Sequence, residues 1–359
     1  MKAMLSEVKA NIYHCLKCGA CRLAFPEYMP ICPSGERFGF DSYYAIGRME
    51  IARAVFEGRL DLGEKVAMRV FTCTSCGACE EQCRPAMGNR PLKVIEELKA
   101  ELVEKGFVPA GLQMFLKSIH LHGNPYQAPG EKRGDWAVGT GVEEYSGQEY
   151  LLYVGCEGSF DPRAQKITLA LARILQKAGV SFGILAGREN CDGNDVMRIG
   201  ERGLFEFLAQ ENIRTFKELG VKKIVTLSPH AYNTFKNDYP KLDGEFEVFH
   251  YTQFLRDLIR EGRLVFGKRR ALRVTYHDPC FLGRHNHDYG SAREVLAAVP
   301  GVDLVEMERN GRNSFCCSGG AGNHYADLLG GGGERNPARI RVREACETGA
   351  GILAVACPA

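Results

Sequence analysis

Eight of the fifteen cysteines in this 359-residue sequence fall in two tight runs near its amino end. The first run is Cys15, Cys18 and Cys21, spaced C-x2-C-x2-C, and Cys32 follows it directly before Pro33. The second is Cys73, Cys76, Cys79 and Cys83, spaced C-x2-C-x2-C-x3-C, with Pro85 close behind. Three thiolates at i, i+3 and i+6 on one loop can wrap three irons of a [4Fe-4S] cube, and the fourth iron takes its thiolate from the other run. This spacing assigns Cys15, Cys18, Cys21 and Cys83 to one cube, and Cys73, Cys76, Cys79 and Cys32 to the other. The chemistry of such sites is electron transfer. Zinc competes as the metal, but its ligands come as separated pairs with no place for a third cysteine of this spacing. Disulfides suit short secreted chains, whereas this one is long, shows no signal peptide and has an odd cysteine count.

Most of the remaining cysteines stand after short β-rich runs. LLYV at 151–154 leads to Cys156, FGIL at 182–185 to Cys191 and Asp192, and KIVTL at 223–227 to Ser228. RVTY at 273–276 leads to Cys280, DLVEM at 303–307 to Cys316 and Cys317, and ILAVA at 352–356 to Cys357. Cys156 and Cys191 are 35 positions apart, against 36 for Cys280 and Cys316. Such self-similarity predicts a duplicated α/β module in which three strand ends converge on one site. The second module keeps cysteines at all three ends, and the adjacent pair can reach different irons of one cluster. In the first, Asp192 and Ser228 replace thiolates. One metal cluster is expected in the second module and none in the first.

These sites need elements to hold them. Residues 1–122 read as helical apart from the cysteine loops. Tyr43, Tyr44, Met49, Ala52, Val55 and Phe56 form one apolar stripe, interleaved with Arg48 and other charges, and Pro91 opens a second helix with Val94, Ile95, Leu98, Leu102 and Val103 facing inward. Residues 123–148, rich in Gly, Pro and charge, read as a linker or an extended loop wrapping a neighbour. The strands then alternate with helical patterns at 163–178, 195–219 and 335–348, which argues for parallel sheets with chemistry at the carboxyl ends of strands. The expected architecture is α+β and multidomain: a helical two-cluster ferredoxin domain (1–122), the linker (123–148), a degenerate first module (149–265) and a cluster-bearing second module (266–359). Net charge is +2, which leaves no electrostatic footprint for nucleic acid. No apolar run approaches the length that crosses a bilayer. Free thiols and cluster ligands point to a reducing compartment, so the expected location is the cytoplasm, with any membrane contact made through a partner.

The stretches SPHAYNTFKNDYP (228–240), YHDPCFLGRHN (276–286), VPGVDLVEMERNGRNSFCCSGG (299–320) and ACP (356–358) are long and specific. Through them the chain resembles the cysteine-rich-domain, or CCG, iron–sulfur oxidoreductases, most of all the catalytic subunit of membrane-linked heterodisulfide reductases. The resemblance implies a noncubane [4Fe-4S] cluster held by Cys280, Cys316, Cys317 and Cys357, at which disulfides are cleaved or thiols oxidised. The family's last motif closes with C-P-x-C, and Ala359 occupies the x position here. CCSGGAGNHY replaces a more glycine-rich run and brings His324 and Tyr325 near the site. Ala231 stands where relatives often carry cysteine.

Among single residues, Cys346 reads as a buried small hydrophobe. His277, His285 and His287 surround Cys280; each could protonate a leaving thiolate or simply bond to sulfur or backbone. His230 could contact the first module's site or serve as a turn residue. Gly330–Gly333 lacks the P-loop ending and reads as a flexible approach loop. No nicotinamide or flavin fingerprint is present, so hydride chemistry falls to a partner.

Two functions fit. One is a heterodisulfide-reductase-like catalytic subunit that acts on a disulfide or thiol substrate. The other is an electron relay in a flavin-dependent hydroxyacid, glycerol-phosphate or acyl-CoA oxidation system that reduces quinone. Either implies a complex with a membrane cytochrome b-type subunit, a flavoprotein or an electron-transfer flavoprotein. Residues 1–15, the linker and the helix near 92–106 are candidate docking surfaces.

Overall fold

In a computed structural model, which describes residues 3–358, helices fill the amino-terminal third. The main ones are Ala45–Phe56, Glu64–Phe71, Ala78–Met87, Pro91–Glu104 and Ala110–His122, preceded by a two-stranded antiparallel ribbon of β1 (Leu23–Ala24) and β2 (Met29–Pro30). Pro91–Glu104 is the central helix. Leu92, Val94, Ile95, Leu98, Lys99, Ala100 and Leu102 are all buried, so it is a core element and not a docking surface.

Two parallel sheets follow. The first runs β4-β3-β5-β6, from β3 (Tyr150–Tyr153), β4 (Phe182–Gly183), β5 (Lys223–Thr226) and β6 (Glu247–His250). The second runs β8-β7-β9, from β7 (Leu272–His277), β8 (Val302–Leu304) and β9 (Ile352–Val355). The orders β4-β3-β5 and β8-β7-β9 correspond strand for strand, as a duplicated module requires, and β6 is an addition to the first. Tyr153 pairs with Thr226 and His277 with Val355, so the carboxyl ends in each sheet lie side by side.

The helical pattern at 195–219 is broken into Asn194–Ile199 and Arg202–Glu218. Gly200 interrupts it at φ +99°, and a Cβ there would lie 2.7 Å from the Ala100 nitrogen. Only glycine lets the first module's backbone press so closely on the central helix. One apolar core runs across that junction, from Leu98, Leu112 and Phe115 to Val196, Ile199 and Phe205. The 123–148 segment is docked along its length. Ile184 N donates to Glu143 O (3.0 Å) and Tyr145 N to Ile184 O (2.8 Å), which extends the sheet past β4. Gly330–Gly333 is pinned by its neighbours: Arg37 Nε donates to Leu329 O (2.5 Å), and Gly331 N donates to Asp327 (2.9 Å).

Candidate metal centres

Cys15, Cys18, Cys21 and Cys83 line one cavity together with Ile46, Met49 and Pro91. Cys32, Cys73, Cys76 and Cys79 line a second with Ala45, Arg48, Leu92 and Ile95. The structure thus brings together three cysteines of one run and the last of the other, twice. Local backbone makes this possible. Cys32 caps the helix Pro33–Phe38, where Pro33 at the first position needs no hydrogen-bond partner, and its sulfur accepts from Gly35 N (3.5 Å). Gly77 reverses the chain at φ +76° before Ala78–Met87, which carries Cys79 and Cys83 on successive turns. Cys18 is exposed while Cys32, Cys76 and Cys79 are buried, so one cavity is outer and one inner. Burial, with neighbouring thiols adding to it, pushes the Cys21 thiol up to about 12; burial does the same to Cys32 against the pull of Arg48. Among the described residues no three His, Cys, Asp or Glu side chains converge as on a single ion. A four-thiol cavity fits a multi-iron core, which accepts one thiolate per iron.

The carboxyl ends of β7, β8 and β9 gather the other group. Cys76 and Cys316 share one buried cluster with Cys280 packed against it, Cys317 adjoins Cys316 in sequence, and Ser318 N donates to the Cys316 sulfur (3.3 Å). Cys76 therefore belongs to the inner cavity and also touches the second module's cysteines. Glycine allows this approach: a Cβ at Gly320 would lie 3.0 Å from Thr74 O. Arg284 Nε donates to Cys76 O (2.8 Å), and His285 Nε2 bonds Ser75 O (2.9 Å) while its ring stacks on Phe281. Cys317 and Cys357 line a cavity of about 350 Å³ with His277, His324, Arg163 and Arg341. That is the size range of small-molecule sites. Burial lowers the pKa of His277 and His285 to about 3, so both are neutral and neither is a proton donor at physiological pH. His287 is exposed on a turn at φ +58°.

In the first module, Cys156, Cys191, Asp192, Ser228 and His230 line a separate small cavity with Glu157, Asn194 and Tyr325. Cys191 lines this cavity beside Cys156, whose sulfur accepts from Arg133 Nη2 (3.3 Å). Arg133 pairs with Glu189 (3.2 Å), both of them buried. Ala231 is in the core. His230 lies near Cys357 and faces Asp195 at 3.5 Å, so it stands between the two modules' sites. Tyr325 donates to Glu157 in the first module, while His324 lies at the second. Cys346 is exposed, a correction to its expected burial: it lies on the outer face of Pro337–Glu347, next to inward-facing Ala345.

Burial raises the Asp192 carboxyl from 3.8 to about 6. The native state then holds its proton more tightly than the unfolded chain, so this residue's contribution is most favourable at low pH and falls by about 3 kcal/mol as pH rises from about 4 through 6. Asp192→Asn, which keeps the acceptor for Asn194 N, is expected to stabilise the protein by about that amount near pH 7.5 and by little near pH 4. Urea unfolding at the two pH values checks this, and equal effects at both would exclude it.

Sequence reasoning missed the buried cations. Arg48, Lys99, Arg133 and Arg284 each line or contact one of these cysteine sites and are nearly inaccessible. The signal was present for two. Arg48 lies on the inward face of Ala45–Phe56 beside Ala45, Met49 and Ala52, and Lys99 shares a face of Pro91–Glu104 with Leu92 and Ile95.

The CCG cysteine-rich-domain family matches residues 150–236 and again 274–359, and the 4Fe-4S dicluster domain family matches 11–86. A dihydromethanophenazine:CoB–CoM heterodisulfide reductase subunit of Methanosarcina mazei is 33% identical over 96% of this chain and 86% of its own length. The probable iron-sulfur-binding oxidoreductase FadF of Bacillus subtilis is 38% identical over 77% of this chain and 41% of its own. The EtfAB:quinone oxidoreductase of Syntrophomonas wolfei is 38% identical over 72% and 37%. The chain spans less than half the length of the latter two. No solved structure matches it.

Proposed function

Because this chain belongs to the CCG-domain iron–sulfur oxidoreductases, the family that includes the iron–sulfur subunit of Methanosarcina heterodisulfide reductase, we propose that it carries electrons to a disulfide or thiol substrate. The observation that carries this reading is the contact of Cys76 with Cys316, backed by the open cavity on the far side at Cys317 and Cys357. In this reading Cys15, Cys18, Cys21 and Cys83 hold an outer cube, Cys32, Cys73, Cys76 and Cys79 an inner one, and Cys280, Cys316, Cys317 and Cys357 a noncubane cluster. When bound, these clusters supply one-electron redox centres and, at the C-terminal site, iron to which a substrate sulfur can attach.

The protein's own residues do the rest. The inner cavity is closed by Ala45, Leu92 and Ile95, which keeps water from the buried thiolates. Neutral His277 and His324 in the same wall offer hydrogen bonds to a sulfur in the cavity, where Arg163 and Arg341 are offset by Glu157 and Asp161. The first module, with Asp192 and Ser228 in place of thiolates, holds no cluster and acts as a wall and support. No helix among the described residues is long and apolar enough to cross a membrane.

A second reading rests on the names of two relatives. Likeness to FadF and to an EtfAB:quinone oxidoreductase supports a relay between an electron-transfer flavoprotein and quinone. Iron and sulfide analysis of anaerobically purified protein, with EPR of the oxidised state before and after adding thiol, separates them. About twelve irons per chain and a thiol-dependent signal are expected for disulfide chemistry. About eight irons and an unresponsive oxidised state would favour the relay. Cys317→Ser is expected to remove the thiol-dependent signal alone; loss of both ferredoxin-type signals would overturn the ligand assignment.

A further inference from the structure

Three cations are buried around the inner cavity, and their hydrogen bonds go to carbonyl and hydroxyl oxygens, not to carboxylates. Arg48 Nε donates to Arg69 O (2.9 Å), and its Nη2 to Ser34 Oγ (2.7 Å) and Thr72 Oγ1 (2.9 Å). Lys99 Nζ donates to Cys73 O (2.6 Å), Ser75 Oγ (3.1 Å) and Arg198 O (3.0 Å), the three acceptors an ammonium needs. Arg284 Nε and Nη1 donate to Cys76 O (2.8 Å) and Ser314 O (2.5 Å), while its buried Nη2 has no partner. Arg48 and Lys99 are 1% and 0% exposed and Arg284 6%, so water does not screen them. Nearby Arg198 differs, because Glu96 (3.0 Å) and Asp238 (2.7 Å) balance it. Burying three cations that no carboxylate hydrogen-bonds is costly unless an anion lies among them.

The outer cavity has a different field. Its cation, Lys17, is half exposed and already paired with Glu50 at 2.8 Å. Glu80, on the helix that carries Cys83, is likewise paired, with Arg90 (3.0 Å) and Arg84 (3.6 Å).

We infer that Arg48, Lys99 and Arg284 make the inner centre, at Cys32, Cys73, Cys76 and Cys79, the more easily reduced of the two ferredoxin-type centres. This rests on the reading that both cavities hold [4Fe-4S] cubes. Adding an electron makes such a centre more negative, and an unscreened cation stabilises that form, whereas a carboxylate opposes it. Electrons entering at exposed Cys18 therefore run downhill to the buried centre that touches Cys316. Arg284 spans the step, since it faces Cys76, Cys280 and Cys316 together. These are positioning residues that act through the field and do not touch substrate.

The test is an EPR-monitored redox titration of the anaerobic holoprotein. Two cubane midpoints are expected, with Cys32→Ser altering only the higher. Lys99→Met, which leaves every cysteine and the C-terminal site in place, is expected to move the higher midpoint to more negative potential and leave the lower unchanged. Arg284→Gln should do the same, and Arg284→Lys should restore most of the shift, which a purely structural role would not predict. Iron content confirms that each variant is loaded. Loaded variants with an unmoved higher midpoint, or with the lower one moved instead, would overturn the inference. A wild-type protein with iron for fewer than two cubes would overturn the underlying reading as well.

Discussion

Cys79→Ser is expected to lower iron by about four per chain and to slow electron delivery to the C-terminal site by more than about 100-fold. Cys79 is buried in the inner cavity, on the first turn of Ala78–Met87, and no other cysteine stands free to replace it there. The inner cysteines lie between the outer set and Cys316, so loss of that centre leaves a gap where Cys76 and Cys316 pack together. Changes around a metal site typically cost 10–100-fold even when the ligands are kept, and a lost ligand exceeds that. The outer centre should still be reduced by dithionite at its normal rate, and added thiol should still perturb the C-terminal signal. Stopped-flow reduction followed at each EPR signature makes the comparison. Undiminished turnover in a variant shown to lack four irons would mean that electrons bypass the inner site.

The ferredoxin half was legible because its ligands are local. A C-x2-C-x2-C run specifies its own loop, and the exchange of fourth cysteines follows from the stereochemistry of a cube, so the grouping of Cys83 with Cys15 could be anticipated across 68 positions. The strands of both modules were legible to within a residue or two, except that DLVEM ends three residues early at Leu304, as short β-branched runs ending in the same kinds of residue. What the sequence hid is long-range. β6 was missed because EVFH is short and lies at a sheet edge. The break at Gly200 depends on the nearness of Ala100, which no local pattern encodes. Cys346 was misread because its helix packs by one narrow face, and a one-residue step from Ala345 reaches solvent. His285 could be read as an acid near Cys280 or as a hydrogen-bonder to sulfur or backbone; the fold selects the second by turning it toward Ser75 O, where it ties the second module to the inner cysteine loop. In each case a contact between distant segments decides the role, and one sequence does not record such contacts.

The 123–148 segment shows how much such contacts contribute, because Glu189→Ala is expected to destabilise the protein by about 3–5 kcal/mol. Glu189 accepts from Arg133 Nη1 (3.2 Å), Val154 N (3.0 Å) and Gly155 N (2.9 Å), all in the interior. Arg133 also donates to Gly123 O (2.7 Å) and to the Cys156 sulfur (3.3 Å), so one guanidinium fastens the segment to the end of β3. Alanine would strand a buried cation and two backbone N–H groups at once, and the cost is that of unpaired charge more than of a lost attraction. The paired change Arg133→Met with Glu189→Leu should therefore cost less than Glu189→Ala alone, since it removes both charges and keeps the volume filled. Denaturant unfolding of the three proteins measures the order, with iron content as the second readout. Because the first module is assigned no cluster, iron should stay at the wild-type level in every variant that folds. A parallel loss of iron would show instead that Cys156 and Cys191, beside Arg133, are ligands after all.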